Sequence, residues 1–245
     1  MSRSAHKTIK GVFGGKFAST MNKKSINFKQ VKKPITELVT KFGGNPVWLT
    51  EPQWPISKET GKPMRFICQI ELSEDIFGKR VCKMAYIFMT DDEEYVDGTW
   101  EPEGGENAVI LQPGNSDIHT EALNKDPTLY KMEKKFLNKK LVPVSCEFEV
   151  ELASGKDPEF VPEAERASWD EDKCETYANA LDGNKIGGTP IFLQADEFPG
   201  TGSWQLILEL DSTKVPFSIN FGDSGIGYAF ISKEENIGKF LWQCS

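Results

Sequence analysis

Gly222-Asp223-Ser224-Gly225 is the run most suggestive of covalent chemistry, because it spells the nucleophile segment of one class of serine proteases. A serine of that kind needs an imidazole base. The chain has two histidines, His6 in the basic leader and the distant His119, and past Gly225 it continues as Ile226-Gly227-Tyr228 where a Gly-Pro is required. The run reads instead as a tight turn in which Asp223 and Ser224 bond local amides. Cys68, Cys82, Cys146, Cys174 and Cys244 form no Cys-x-x-Cys pair and, with two distant histidines, offer no zinc spacing, so no metal is expected. Gly15-Lys16 lacks the P-loop glycine five positions before Gly15, where Lys10 stands, and Gly225-x-Gly227 meets Phe230 where a dinucleotide loop needs its last glycine. The carboxylate pairs Asp91-Asp92 and Glu234-Glu235 have the groups for acid–base work, but adjacent acids in an acidic chain read as solvated. No cofactor is expected.

Binding chemistry has firmer material. Asp91–Glu106 (DDEEYVDGTWEPEGGE) has eight acids, no basic residue and one tryptophan. An EF-hand register set by Asp97-Gly98 puts Tyr95 and Gly104 where ligands belong, which argues against calcium. An exposed Trp100 among carboxylates has the composition of a contact patch for a basic protein, the ring anchoring and the acids steering. The candidate contact residues are Asp91, Asp92, Glu93, Glu94, Asp97, Trp100, Glu101 and Glu103.

The charge of the whole chain points the same way. Formal net charge is −8, but residues 1–41 hold ten Lys/Arg against Glu37 alone, which leaves 42–245 at −17. Such a body repels nucleic-acid phosphates and attracts basic proteins. No apolar run reaches the ~20 residues of a membrane span, and residues 1–20 lack the apolar core of a signal peptide. Five free cysteines suit a reducing cytoplasm.

The elements that must position these residues follow a repeat. Phe42–Pro55 (FGGNPVWLTEPQWP) returns as Ile186–Pro199 (IGGTPIFLQADEFP), with Gly43, Gly44, Pro46, Leu49 and Pro55 matched by Gly187, Gly188, Pro190, Leu193 and Pro199 at an offset of 144. The echo extends from Ile67–Leu72 to Gln205–Leu210 and from Met84–Met89 to Ile226–Ile231, with Tyr86 matched to Tyr228. The expectation is a mainly β, α+β fold of internally duplicated antiparallel units. Each has a Gly-Gly-x-Pro turn and a short helix before it, with helical insertions between the halves. Strands are expected at Val47–Leu49, Arg65–Leu72, Val81–Met89, Val109–Gln112, Val142–Leu152 and Lys239–Cys244. Helices are expected at Pro34–Lys41, from Asp126 to Leu137, over 15–20 residues between Pro162 and Gly183, and as one turn capped by Ser232-x-x-Glu235. The domain plan is a basic flexible leader over 1–33 and one duplicated domain over 34–245. Its first half spans 34–112, its helical and acidic connector 113–183, and its second half 184–245.

Gly43-Gly44-x-Pro46, Trp54-Pro55, Gly61-Lys62-Pro63, Cys68-Gln69-Ile70, Gly187-Gly188-x-Pro190 and the ending Gly222-Asp223-x-Gly225, Phe230-Ile231, Trp242-Gln243-Cys244-Ser245 together resemble the YwqG-like family. The likeness runs over 35–245 and is most specific at the C-terminal end. Phe221 stands where the family commonly has Trp. The family is similar to the eukaryotic programmed-cell-death-two and ribosome-maturation proteins, so the resemblance implies a duplicated, largely β architecture and chaperone-like binding of a ribosomal protein. The Cys-x-x-Cys pairs of those relatives are missing, so their metal is not implied. Family members beside polymorphic toxins imply an immunity role.

These readings converge on a cytoplasmic, non-enzymatic protein-binding module that occludes a basic partner, with no nucleic acid or membrane as its target. The alternative is an enzyme with an unrecognised carboxylate or cysteine site. The motif residues Gly43, Gly44, Pro46, Trp54, Pro55, Gly187, Gly188, Pro190, Gly222, Asp223, Gly225, Trp242, Gln243 and Cys244 are expected to be structural, because a feature needed in both halves is a turn before it is a site.

Overall fold

In the computed structural model, described for residues 19–91, 96–114, 118–135, 140–233 and 237–245, the apolar runs become strands buried on both faces. The strands are β1 (Thr20–Gln30), β2 (Lys41–Gly43), β3 (Trp54–Pro55), β4 (Arg65–Glu71), β5 (Met84–Met89), β6 (Asn107–Gln112), β7 (Thr120–Glu121), β8 (Tyr130–Lys134), β9 (Leu141–Ser145), β10 (Glu147–Pro158), β11 (Lys185–Gly187), β12 (Trp204–Asp211), β13 (Ile226–Ser232) and β14 (Gly238–Gln243). Three short helices accompany them: α1 (Glu74–Phe77), α2 (Glu163–Arg166) and α3 (Glu171–Leu181).

Ten strands close an antiparallel barrel in the order β1-β10-β2-β4-β5-β6-β14-β13-β12-β11. The barrel is filled by Phe42, Ile67, Ile87, Phe148, Ile207 and Ile231 with their neighbours. Successive side chains of a strand point to opposite faces. The residues of β5 that miss this interior, Tyr86 and Phe88, therefore pack outside with Trp54 and Phe66, and Tyr228 and Phe230 of β13 pack with Phe192. Two outer apolar clusters thus flank the central one.

Each outer cluster is roofed by the extended chain after a Gly-Gly pair, and barrel side chains hold that roof. Over the first half, Gln69 accepts from Val47 N at 2.8 Å, while the Tyr86 hydroxyl donates to Val47 O and accepts from Leu49 N. Gln112 accepts from Thr50 N and donates to Glu51 O. Over the second half, Glu209 accepts from Ile191 N at 2.8 Å, Tyr228 donates to Ile191 O, and Gln243 serves Leu193 N, Gln194 N and Ala195 O. Buried backbone groups need such partners. Burial lifts the Tyr86 hydroxyl to about 12 and Tyr228 further, so both stay protonated donors.

A buried lysine anchors the start of each roof. Lys41 Nζ meets Glu147 Oε1 at 2.6 Å and the carbonyls of Asn45 and Ile35. Lys185 Nζ meets Leu181 O, Asp157 Oδ2 at 3.1 Å and Glu209 Oε1 at 3.3 Å. Gly44 (φ +66°) and Gly188 (φ +78°) pass directly over the Glu147 and Asp157 carboxylates, where a Cβ would collide with the carboxyl group.

Several sequence expectations fail for identifiable reasons. Residues 20–30, assigned to a basic leader, form β1 and pair with β10 along its whole length; residues 1–18 lie outside the described residues. No helix forms over Pro34–Lys41, because Ile35 N bonds Glu147 and Ile35 O bonds Lys41, removing the groups a helical turn would use. Val47–Leu49 belongs to no ladder, its backbone being taken by side chains. The helix expected from Asp126 is replaced by β8, paired with β9, and Met132 of its supposed apolar stripe is 46% exposed; Phe136 and Leu137 lie outside the described residues. Val142–Leu152 divides at Cys146 into β9 and β10, and the long helix after Pro162 divides into α2 and α3. Glu235 of the expected C-terminal cap lies outside the described residues. Among them, no helix is long and apolar enough to cross a membrane.

Glu209 generates a pH prediction. Burial is the largest influence on its carboxyl and raises it to about 7, against the pull of Lys185. Between about pH 4.5 and 7 the folded state holds a proton that the unfolded state has lost, so this group's contribution is full below that window and declines as pH rises through it. The wild-type minus Glu209→Gln difference in unfolding free energy should fall by at most about 3 kcal/mol across the window, read by denaturant titration at several pH values. A difference independent of pH would contradict the assignment.

Candidate functional site

Two pairs of neighbouring barrel strands differ in how they are joined. β13 and β14 are joined by residues 233–237, whereas β5 and β6 are joined by residues 90–106, the acidic run. Glu106 fixes this longer connection. Its carboxylate is buried and accepts from Ser57 Oγ and Thr90 Oγ1, both at 2.7 Å, and from Glu59 N at 2.8 Å. The Asn107 amide then donates to Thr99 O and Glu101 O, and Lys58 N bonds Gly105 O at 3.1 Å. A charge taken out of water is tolerated when several donors face it, which Ser57, Thr90 and Glu59 provide.

The structure separates the candidate contact residues. Asp91 is drawn inward by Arg65, Nε to Oδ2 at 2.7 Å, and the same guanidinium lies 4.8 Å from the centre of the Tyr130 ring. Glu103 pairs with Lys239 at 2.7 Å while keeping much of its side chain in solvent. Asp97 accepts from the amide of Gly98, and Asp97 and Glu101 are exposed. Trp100 is half-buried and meets Trp242 edge-on, with ring centres 6.1 Å apart. Asp92, Glu93 and Glu94 lie outside the described residues, as do Glu234 and Glu235. The free acidic face that the sequence suggests is thus partly spent on Arg65, Lys239 and the Glu106 anchor.

Beside the loop opens a cleft of about 520 Å³, lined by Glu103 and Asn107 together with Lys58, His119, Glu121 and Lys239. Ile56 and Ile118 supply apolar surface. Three short segments hold these residues: the turn after β3, tied to the loop by Lys58 N; β7, paired with Trp54-Pro55; and the start of β14. His119, Lys58 and Lys239 were invisible as a group in the sequence, since they are dispersed along the chain and no spacing relates them. The cleft presents cations and acids at its rim, which suits polar contacts with a partner's side chains.

The residues expected to be structural vary in burial, from the fully buried Trp54 to the exposed Gly222 and Asp223. Pro46 and Pro190 lie within the pinned roofs, and Trp54 is fully buried with Nε1 donating to Met64 O. Gly225 abuts Phe221 O and Gln243 O, and Asp223 O accepts from Ser245 N and Oγ. Ser224 donates to the adjacent Asp223 carboxylate at 3.3 Å within an exposed turn. Burial raises the thiols of Cys68 and Cys82 and takes Cys146 to about 11, which leaves them protonated at neutral pH. Among the described residues, no group of three His, Cys, Asp or Glu side chains is placed to hold a metal ion.

Glu106 and Glu101 should respond differently to substitution. Glu106→Ala strands two hydroxyls and an amide and should lower the unfolding free energy by about 2–3 kcal/mol. Glu101→Lys, on an exposed side chain, should change it by less than about 0.5 kcal/mol. Denaturant unfolding checks both, and equal effects would contradict the anchor role of Glu106.

No curated protein matches the chain. A family model described as a domain of unknown function, DUF1963, matches residues 40–237, from just before β2 to the junction with β14. With most of the barrel inside that match, the chain belongs to the DUF1963 family.

Proposed function

We propose that this protein is a non-enzymatic, cytoplasmic protein-binding module that occludes a basic partner, as an immunity protein or a chaperone-like factor, in keeping with its resemblance to the YwqG-like and programmed-cell-death-two proteins. The observation that carries the reading is the elaboration of one connection. Where β13 and β14 are joined by residues 233–237, the matching connection carries eight acids and Trp100 and stands beside a polar cleft. The matched strand orders, the two Gly-Gly roofs and the two buried lysines support an origin by internal duplication, with binding carried by the part that only one half elaborated. Asp97 and Glu101 would steer the partner through the field of a −17 body, and the cleft would receive its side chains.

Charge reversal tests this. The double substitution Asp97→Lys, Glu101→Lys should weaken capture of a basic protein from the source cell by about tenfold or more at low salt, with the fold retained by circular dichroism. Wild-type capture should itself fall as salt rises. Undiminished, salt-insensitive capture by the double variant would overturn the reading.

A further inference from the structure

One barrel strand leaves an edge uncovered. β10 pairs with β1 from Thr20↔Pro158 to Gln30↔Phe148 without a register shift, but its other edge meets β2 only over Glu147–Glu149. The bonds Val31 N→Glu147 O and Glu159 N→Ser19 O fix the parity of the ladder. Odd-numbered residues of β10 bond to β1, so Val150, Leu152, Ser154 and Lys156 turn their N–H and C=O groups the other way. Among the described residues no strand lies on that side beyond Glu149, and Glu151–Lys156 are all exposed. Soluble proteins usually shield such an edge with proline, a bulge or a covering segment, because it is a template for another extended chain. Here the stretch contains no proline and no bulge.

The side chains say which chain fits. Val150 packs against the core and Leu152, on the same face, is 38% exposed, so an incoming strand would set apolar residues beside them. Glu149, on the outward face, is already opposite Lys41 of β2 and paired with Lys29, so the charge that the uncovered edge offers on that face is the exposed Glu151. Residues directly opposite one another across a sheet favour unlike charge. We propose that the Val150–Lys156 edge of β10 binds an extended segment of a partner protein in which basic and apolar residues alternate, by strand addition. The backbone ladder supplies the attachment and Glu151 selects the charge. This surface is separate from the acidic loop, so Asp97→Lys, Glu101→Lys leaves it intact.

The test uses the full chain and a capped hexapeptide of alternating lysine and valine, with a glutamate–valine hexapeptide as the control. In the free protein the Leu152 and Ser154 amides should exchange rapidly with deuterium, and saturating lysine–valine peptide should slow them by about tenfold or more. The glutamate–valine peptide should leave them unchanged. Ser154→Pro removes an outward N–H that the fold does not use and should abolish the protection without lowering the melting temperature appreciably. Should that variant misfold, Glu151→Lys serves instead and should exchange the preference of the two peptides. Equal protection by both peptides, protection by neither, or amides already protected in the free protein by its own residues or a second copy would overturn the proposal.

Discussion

Two stretches of extended backbone, following Gly44 and Gly188, lie over apolar clusters instead of in water, and their polar groups must be satisfied there. The barrel meets this demand from its own wall. Gln69, Tyr86 and Gln112 reach outward from adjacent strands to one stretch, and Glu209, Tyr228 and Gln243 reach to the other. Much else follows from this arrangement. The glycines pass over carboxylates because the chain must approach closely, the lysines at 41 and 185 neutralise those carboxylates, and the aromatic rings beneath exclude the water that would otherwise compete.

The two roofs solve the same problem with different chemistry. Gln69 is neutral at every pH and donates to Val39 O as well as accepting from Val47 N. Glu209, which accepts from the second roof as Gln69 does from the first, shares Lys185 with Asp157, which also takes Lys23 at 2.5 Å. The acceptor at Gln69 is therefore indifferent to protons and the one at Glu209 is not. A second contrast, the connection of 90–106 against that of 233–237, adds surface where the first alters only the interior. The binding role proposed above rests on the second contrast because it changes what a partner can touch.

The buried barrel strands were legible in the sequence because residues buried on both faces leave near-continuous apolar runs such as MAYIFM and IGYAFI. β1 was not legible. Its lysines read as a solvated leader, and only the structure reveals that Lys23 and Lys24 find carboxylates at Asp157 and Asp75 while Ile26 and Phe28 pack inward. Pro34–Lys41 carried helix signals that tertiary contacts to Glu147 and Lys41 overrode. The acidic run was visible as composition, but composition does not reveal that Asp91, Glu103 and Glu106 are committed to Arg65, Lys239 and the hydroxyls of Ser57 and Thr90. The cleft gave no sequence signal, since residues as far apart as Lys58 and Lys239 meet only after the barrel closes.

If the roofs are part of the barrel and not mobile loops, their amides must behave like core amides. Residue-resolved hydrogen exchange on the intact protein measures this directly at Val47, Leu49, Ile191 and Leu193. The account predicts exchange as slow as in β5 and β13, governed by global unfolding. Exchange at the rate of exposed loops at these amides would contradict it.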